Sequence, residues 1–273
     1  MSFRESSRVT PNERTVSAAE FYTRQAASYR ESFEAPHRKA YDLLAWRAVS
    51  RSLPHDSLVV DIGCGVGRWV EMLLDDGHRV IGIEPSPGMA ATAALLERDN
   101  VFSLQPVGVD DADVPPGSVD SVVAMGSLQY TNDPAASIAK AARWLKPGGS
   151  MWVLVDGLYG LVAELLRNGD FGQAAERART RRARFVSEGL GVEHHLLDSW
   201  ALRRAFEAAG MVDVEARGLL ISWNAKERQV AQRELVDDWQ SQIALEETLS
   251  GVPDLADFGK QLLAFGRLPA SDL

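Results

Sequence analysis

Cysteine is almost missing from this 273-residue sequence: Cys64 stands alone. A single thiol cannot build a disulfide framework or a cysteine-based zinc or iron–sulfur site, and it suits a reducing, cytoplasmic setting. Long apolar runs are missing as well. No stretch approaches the roughly 20 apolar residues of a membrane span, and the opening MSFRESSRVTPNERT lacks the apolar segment of an export leader. Positive charge is in deficit: 29 Lys and Arg against 38 Asp and Glu leave a net charge of −9. Phosphate backbones are held chiefly by excess positive charge, so a nucleic-acid partner is not expected. Asp110, Asp111 and Asp113 do not fit the calcium-loop spacing, so no metal site is expected. There is no internal repeat and no Pro/Ser-rich linker. The remainder is ordinary for a folded chain, 45% apolar and 25% charged, with a length that suits one large domain or one domain plus a cap.

Residues 1–15 are polar, contain Pro11, and read as a disordered tail. Aromatics at helical spacing (Phe21, Tyr22, Tyr29, Phe33), then a second run after Pro36, predict an N-terminal helical cap over 16–53. The core then spans 54–273. Short apolar strands at 58–60, 80–83, 101–104, 121–124 and 151–155 alternate with helical runs near 69–74, 87–98 and 134–145. This alternation predicts an α/β fold, a doubly wound and mostly parallel sheet covered on both faces. After Asp156 the alternation breaks. An Arg-rich insert at 158–196 reads as two helices and a loop covering the substrate. A helix after Ser199, a sixth strand at 211–223, a charged helical insert at 225–250 and a late strand at 261–266 complete the chain.

The most informative segment is Val59-Val60-Asp61-Ile62-Gly63-Cys64-Gly65-Val66-Gly67-Arg68-Trp69. It sets glycines between a buried strand and a helix, where ligands bind outside the carboxyl ends of a parallel sheet. The spacing is G-x-G-x-G, and Arg68 stands where a dinucleotide fingerprint, G-x-G-x-x-G, needs its third glycine. Asp61, just ahead of the loop, disfavours a diphosphate and favours a cationic ligand. Glu84 ends the next strand, 21 residues beyond Gly63, where a carboxylate can accept both hydroxyls of a ribose.

These residues resemble class I S-adenosylmethionine-dependent methyltransferases. The first motif is Val-Asp-Ile-Gly-Cys-Gly-Val-Gly and the second Ile-Gly-Ile-Glu-Pro-Ser. Gly126-Ser127-Leu128-Gln129-Tyr130 after the fourth strand and Leu145-Lys146-Pro147-Gly148-Gly149 before the fifth extend the resemblance over roughly 56–156. It implies a seven-stranded Rossmann-like methyltransferase fold with the last strand antiparallel, and S-adenosylmethionine as cofactor. It also implies roles for residues. Asp61 would face the methionine end of the cofactor, with Gly63, Cys64 and Gly65 giving backbone room in the loop. Glu84 would hold the ribose, with Pro85, Ser86 and Met89 near the adenine, as would Val109 and Asp110, with a two-residue register slip open there. Met125 and Gly126 would line the methionine moiety. Relatives with Phe-Tyr-x-x-x-Ala-x-x-Tyr fold that helix over the cofactor, which brings Tyr22 and Tyr29 to it as a lid.

A sulfonium methyl is already activated, so the protein must chiefly align a nucleophile and exclude water. No motif for a base is expected. Candidates near the reacting groups are His37, His194 and His195, since imidazole titrates near neutrality. Gln129 and Tyr130 are candidates for orienting the substrate. The run Arg177, Arg179, Arg181, Arg182 and Arg184 reads first as a solvated helix face pairing with Glu176 and Glu188, and alternatively as a pocket for an anionic acceptor. The expected activity is methyl transfer to an O, N or C atom of a small biosynthetic metabolite, because two caps suit a closed pocket. The Ala/Arg-rich, Lys-poor composition is associated with bacterial biosynthetic enzymes. The rivals are an RNA or protein methyltransferase, a non-methylating cofactor-binding scaffold or cyclase, and a nicotinamide oxidoreductase, which the missing third glycine disfavours.

Overall fold

The computed structural model describes residues 4–5 and 13–270. The parallel strands form where the sequence offers unbroken apolar runs: β3 (Leu58–Ile62), β4 (Arg79–Ile83), β5 (Phe102–Gln105), β6 (Val119–Met125) and β7 (Leu145–Asp156). With β10 (Val212–Leu219) and β11 (Gln261–Arg267) they make a seven-stranded sheet of order β10-β11-β7-β6-β3-β4-β5. Among the described residues, the antiparallel pairs of this sheet are those of β11 with β7 and β10. This is a Rossmann-like methyltransferase fold. Strand order reverses between β3 and β6, which opens a crevice at their carboxyl ends.

Both faces of the sheet are buried. Val60 and Val122 face α5 (Pro134–Ala142) and α8 (Ser199–Ala208), which contribute Ile138, Leu202 and Phe206. Val59 and Val123 face α2 (Pro36–Ser50) and α3 (Arg68–Asp75), which contribute Leu44, Trp69 and Leu73. Burying each such side chain is worth about 1.5–3 kcal/mol. α4 (Pro87–Ala93) follows β4 and packs under α1 (Ala18–Ser32), whose N-cap Ser17 accepts the Glu20 N–H at 3.2 Å. Arg30 of α1 makes a two-pronged ion pair with Glu71 of α3, at 2.7 and 3.1 Å, tying α1 across the carboxyl edge of the sheet.

Three expectations are corrected. The insert at 158–196 holds two helices, α6 (Leu158–Arg167) and α7 (Phe171–Thr180), but its last third is a β-hairpin, β8 (Arg182–Ser187) and β9 (Leu190–His195), not a loop. Arg181 at φ 54° ends α7 in a left-handed turn, and Glu188 and Gly189, at φ 53° and 74°, form a two-residue reversal whose twist suits a hairpin. The disordered tail over 1–15 is not free either. β1 (Arg4–Glu5) pairs with β8 and β2 (Arg14–Thr15) with β9, in a second, four-stranded sheet. The rest of that tail, 1–3 and 6–12, lies outside the described residues.

The strand expected over 211–223 stops at Leu219. Leu220 turns left-handed and α9 (Ile221–Asn224) begins, because the buried Glu246 carboxylate accepts the N–H groups of Ile221 and Trp223 and the Ser222 hydroxyl. The helical insert at 225–250 is two helices, α10 (Arg228–Asp237) and α11 (Trp239–Ser250), broken at Asp238, which caps the second.

Candidate active site

The carboxyl ends of β3, β4 and β6 and the start of α1 enclose a cavity of about 290 Å³. The glycine loop forms its floor. Gly63 has φ 70°, and a Cβ there would run into the Ser127 side chain, whose hydroxyl donates to the Ile62 carbonyl. Only glycine meets both conditions. Gly65 lines the cavity beside Tyr29. Its N–H donates to Glu84 Oε2 at 2.9 Å, while the Ser86 N–H donates to Oε1 at 2.7 Å. Burial raises the Glu84 pKa, and these two bonds oppose the rise. Each carboxylate oxygen keeps a further lone pair for a ligand.

Pro85, Ser86 and Met89 wall the cavity after β4, and Gly108, Val109 and Asp110 close it opposite, so the expected contacts at 109–110 lie at the cavity. Met125 and Gly126 lie at its inner end. Two of the residues expected to contact the cofactor do not line it. Cys64 turns into the sheet, with Sγ packed over Gly82, and burial pushes its thiol well up. Asp61 lies beneath the loop, 1% exposed. Its Oδ2 has no hydrogen-bond partner, and burial raises the pKa to about 7, with Arg68 opposing and Glu84 adding. A buried carboxylate oxygen left unpaired is costly. Its place under the loop fits the ammonium of a cationic ligand, directly or through water. Ser17, Ala18, Ala19, Thr131 and Asn132 also line the cavity and carry no motif that would have announced them.

A second cavity of about 660 Å³ adjoins the first, and Tyr22, Tyr29, Met125, Gly126 and Tyr130 line both. At this junction the Tyr22 hydroxyl donates to that of Tyr130 at 2.6 Å. Burial raises the pKa of Tyr22, Tyr29 and Tyr130, so all three are neutral phenols at pH 7. His37 lines the larger cavity, stacked on Trp223 at 5.1 Å. Burial, then Lys260, Arg38 and Arg228, push its pKa down to about 3. It is therefore a neutral imidazole with little basicity.

Gln129 is committed to Asp156: its Nε2 donates to Asp156 Oδ2 and its Oε1 accepts the Asp156 N–H, each at 2.8 Å. His194 and His195 line neither cavity. His194 is fully buried, stacked on Phe185 at 4.4 Å, with Nε2 3.7 Å from Asp156 Oδ2. His195 faces the loop at 131–133, with its pKa lowered by burial and by Arg182.

The arginine run divides, because Arg181 ends the helix midway: Arg179 and Arg182 are exposed, as a solvated face requires, and none of the five lines either cavity. Arg177 is 3% exposed, Arg181 pairs with Asp198 at 2.7 Å and Arg184 with Glu13 at 2.8 Å. The cations that do line the larger cavity are Arg38, Arg228 and Lys260, facing Asp156 and Glu164. Asp156 carried a signal that was available: it ends a parallel strand at the ligand edge, as Asp61 and Glu84 do.

Residues 60–153 match the family model described as "Methyltransferase domain". The chain is similar to the ubiquinone biosynthesis O-methyltransferase of Idiomarina loihiensis, at 26% identity over 167 residues, 60% of this chain and 65% of that enzyme. Such curated relatives are matched over only 39–65% of their own length. Among solved structures, a methyltransferase–Trm112 activator complex from Haloferax volcanii aligns at TM-score 0.61 and 21% identity, covering 94% of this chain and 100% of that one. A Thermotoga maritima protein described as a SAM-dependent methyltransferase, possible histamine N-methyltransferase, aligns at TM-score 0.59 and 20% identity, covering 91% and 98%.

Proposed function

Proceeding from a chain that carries a class I S-adenosylmethionine-dependent methyltransferase domain, we propose that this protein moves a methyl group from that donor onto a small metabolite. One observation carries the reading: a cofactor-sized cavity opens into a second of about 660 Å³, and both meet at Tyr22 and Tyr130. That volume lies in the range of small-molecule sites. The donor supplies a methyl already activated on a sulfonium. Glu84 would hold its ribose, Asp61 its cationic end, and Met89, Val109 and Asp110 its adenine. Tyr22 and Tyr29 of α1 roof both cavities and exclude water. Tyr130 would orient the acceptor, with His37 on its far wall.

Arg38, Arg228 and Lys260 support an acceptor with an anionic group, since they outnumber the two facing carboxylates. Among the described residues no helix is long and apolar enough to cross a membrane; a lone free cysteine suits a reducing, cytoplasmic setting, and the relatives named for ubiquinone biosynthesis support a biosynthetic one. The test is incubation of the protein with methyl-labelled donor and pooled cell metabolites. Label is expected in a low-molecular-weight product. Label in RNA or protein would replace this reading by a macromolecular one.

A further inference from the structure

We propose that Asp156 is the general base of this site and that the acceptor is an alcohol or phenol, whose O–H proton must leave as the methyl arrives. The inference rests on the methyl-transfer reading above. Asp156 stands on β7 two residues past Leu154, which pairs with Met125 of β6 at the junction of the two cavities. Its side chain is 16% exposed and lines the acceptor cavity. Gln129 grips it through both backbone and carboxylate, and Gln261 pairs with it across the strands from β11. A carboxylate held this firmly is oriented for one task.

The other titratable groups of the cavity are unsuited. His37 is too weakly basic beside three cations. Glu164 is committed to Lys260 at 2.9 Å, which keeps its pKa low. The tyrosines are neutral phenols. Burial raises the pKa of Asp156, while Lys260, Gln129, Arg38 and Gln261 oppose the rise. A carboxylate moved toward neutrality is a better base at pH 7. In the step, the acceptor O–H gives its proton to the Asp156 carboxylate while its oxygen forms the new O–CH₃ bond. The C–S bond breaks with its electron pair left on sulfur, so the products are the methyl ether, S-adenosylhomocysteine and protonated Asp156, which then returns the proton to solvent. Amines in their neutral form, thiolates and carboxylates would not need this group.

Labelled transfer to a panel of phenols, alcohols, amines, thiols and carboxylates, with wild type, D156N and Q129L, tests the idea. Product is expected from hydroxyl acceptors. D156N is expected to lose about 10²–10⁴-fold in kcat while binding S-adenosylhomocysteine within about threefold of wild type, which also reports folding. The wild-type kcat should rise with pH through one ionisation. The charged and titratable groups around it, Lys260, Arg38, His194, Tyr22, Tyr130, His37 and Glu164, come from six separate elements or turns, so this limb is assigned by variants. It should vanish in D156N, and move to higher pH in Q129L, which removes a bond that favours the carboxylate. Infrared spectra should show a carboxylic-acid C=O band at low pH that D156N lacks.

Wild-type kcat and pH profile in D156N, the missing band, or products from amines or thiols alone would overturn the proposal. Silence of the wild type toward every acceptor, with S-adenosylhomocysteine still bound, would instead bring down the transfer reading itself and this inference with it.

Discussion

Two carboxylates beside the glycine loop, Asp61 and Glu84, sit in different surroundings. Glu84 has both oxygens engaged by backbone N–H groups and lines the cavity. Removing it in E84A should weaken S-adenosylhomocysteine binding by about 1.5–3 kcal/mol, read by titration calorimetry; unchanged affinity would remove the ribose assignment. Asp61 is buried with an unpaired oxygen. Its pKa of about 7 in the fold exceeds the value of 3.8 in the unfolded chain, so between those values the native state holds a proton that the unfolded state has released. Native stability therefore falls as pH rises through this window. D61N should remove that loss and raise the ligand-free Tm near pH 7 to 8. The opposite follows for binding. A cationic ligand needs the ionised form, so donor affinity in the wild type should drop as pH falls below 7, and D61N should bind weakly with a flat profile.

At the scale of elements, α1 is the part that joins both cavities. It is anchored away from the chemistry, by Arg30 to Glu71 and by Phe21, which is fully buried. Tyr22 is thus free to serve the junction with Tyr130. Y22F deletes the 2.6 Å bond and keeps the ring packing. Turnover should fall about tenfold, a loss of one hydrogen bond near the transition state, with Tm within a few degrees of wild type. A fall in Tm with unchanged turnover would reduce Tyr22 to packing. The Phe21-Tyr22…Tyr29 spacing made this helix legible from sequence. The hairpin at 182–195 was not, because its reversal uses Glu188-Gly189 where Asn-Gly would have been the plain signal.

For the whole molecule, the cavities lie at the switch point of the sheet and are closed by parts from both ends of the chain: α1 and α2 from one side, α6 and β8 from the middle, Lys260 and Gln261 from the other. Ligand binding should therefore stabilise the fold as a unit. S-adenosylhomocysteine at a hundred times its Kd should add about 2.7 kcal/mol and raise Tm by about 5 °C or more, while NADH should leave it unchanged. A shift with NADH alone would reverse the reading of the glycine loop.

The chain's own order determined the strand–helix alternation, the glycine loop, and an acidic residue at the end of each of the first two parallel strands. These features are local: apolar runs of a few residues, a left-handed turn that needs glycine, a carboxylate one step from the loop it serves. Only the tertiary structure decided which charges line the larger cavity. Arg184 went to Glu13, 171 residues away, while Arg38 and Lys260 came to the cavity from opposite ends. The partner of Gln129 proved to be Asp156, and that of Tyr22 proved to be Tyr130, 108 residues on. Such pairings depend on how the helices and strands pack over the sheet edge, and no spacing along the chain encodes them.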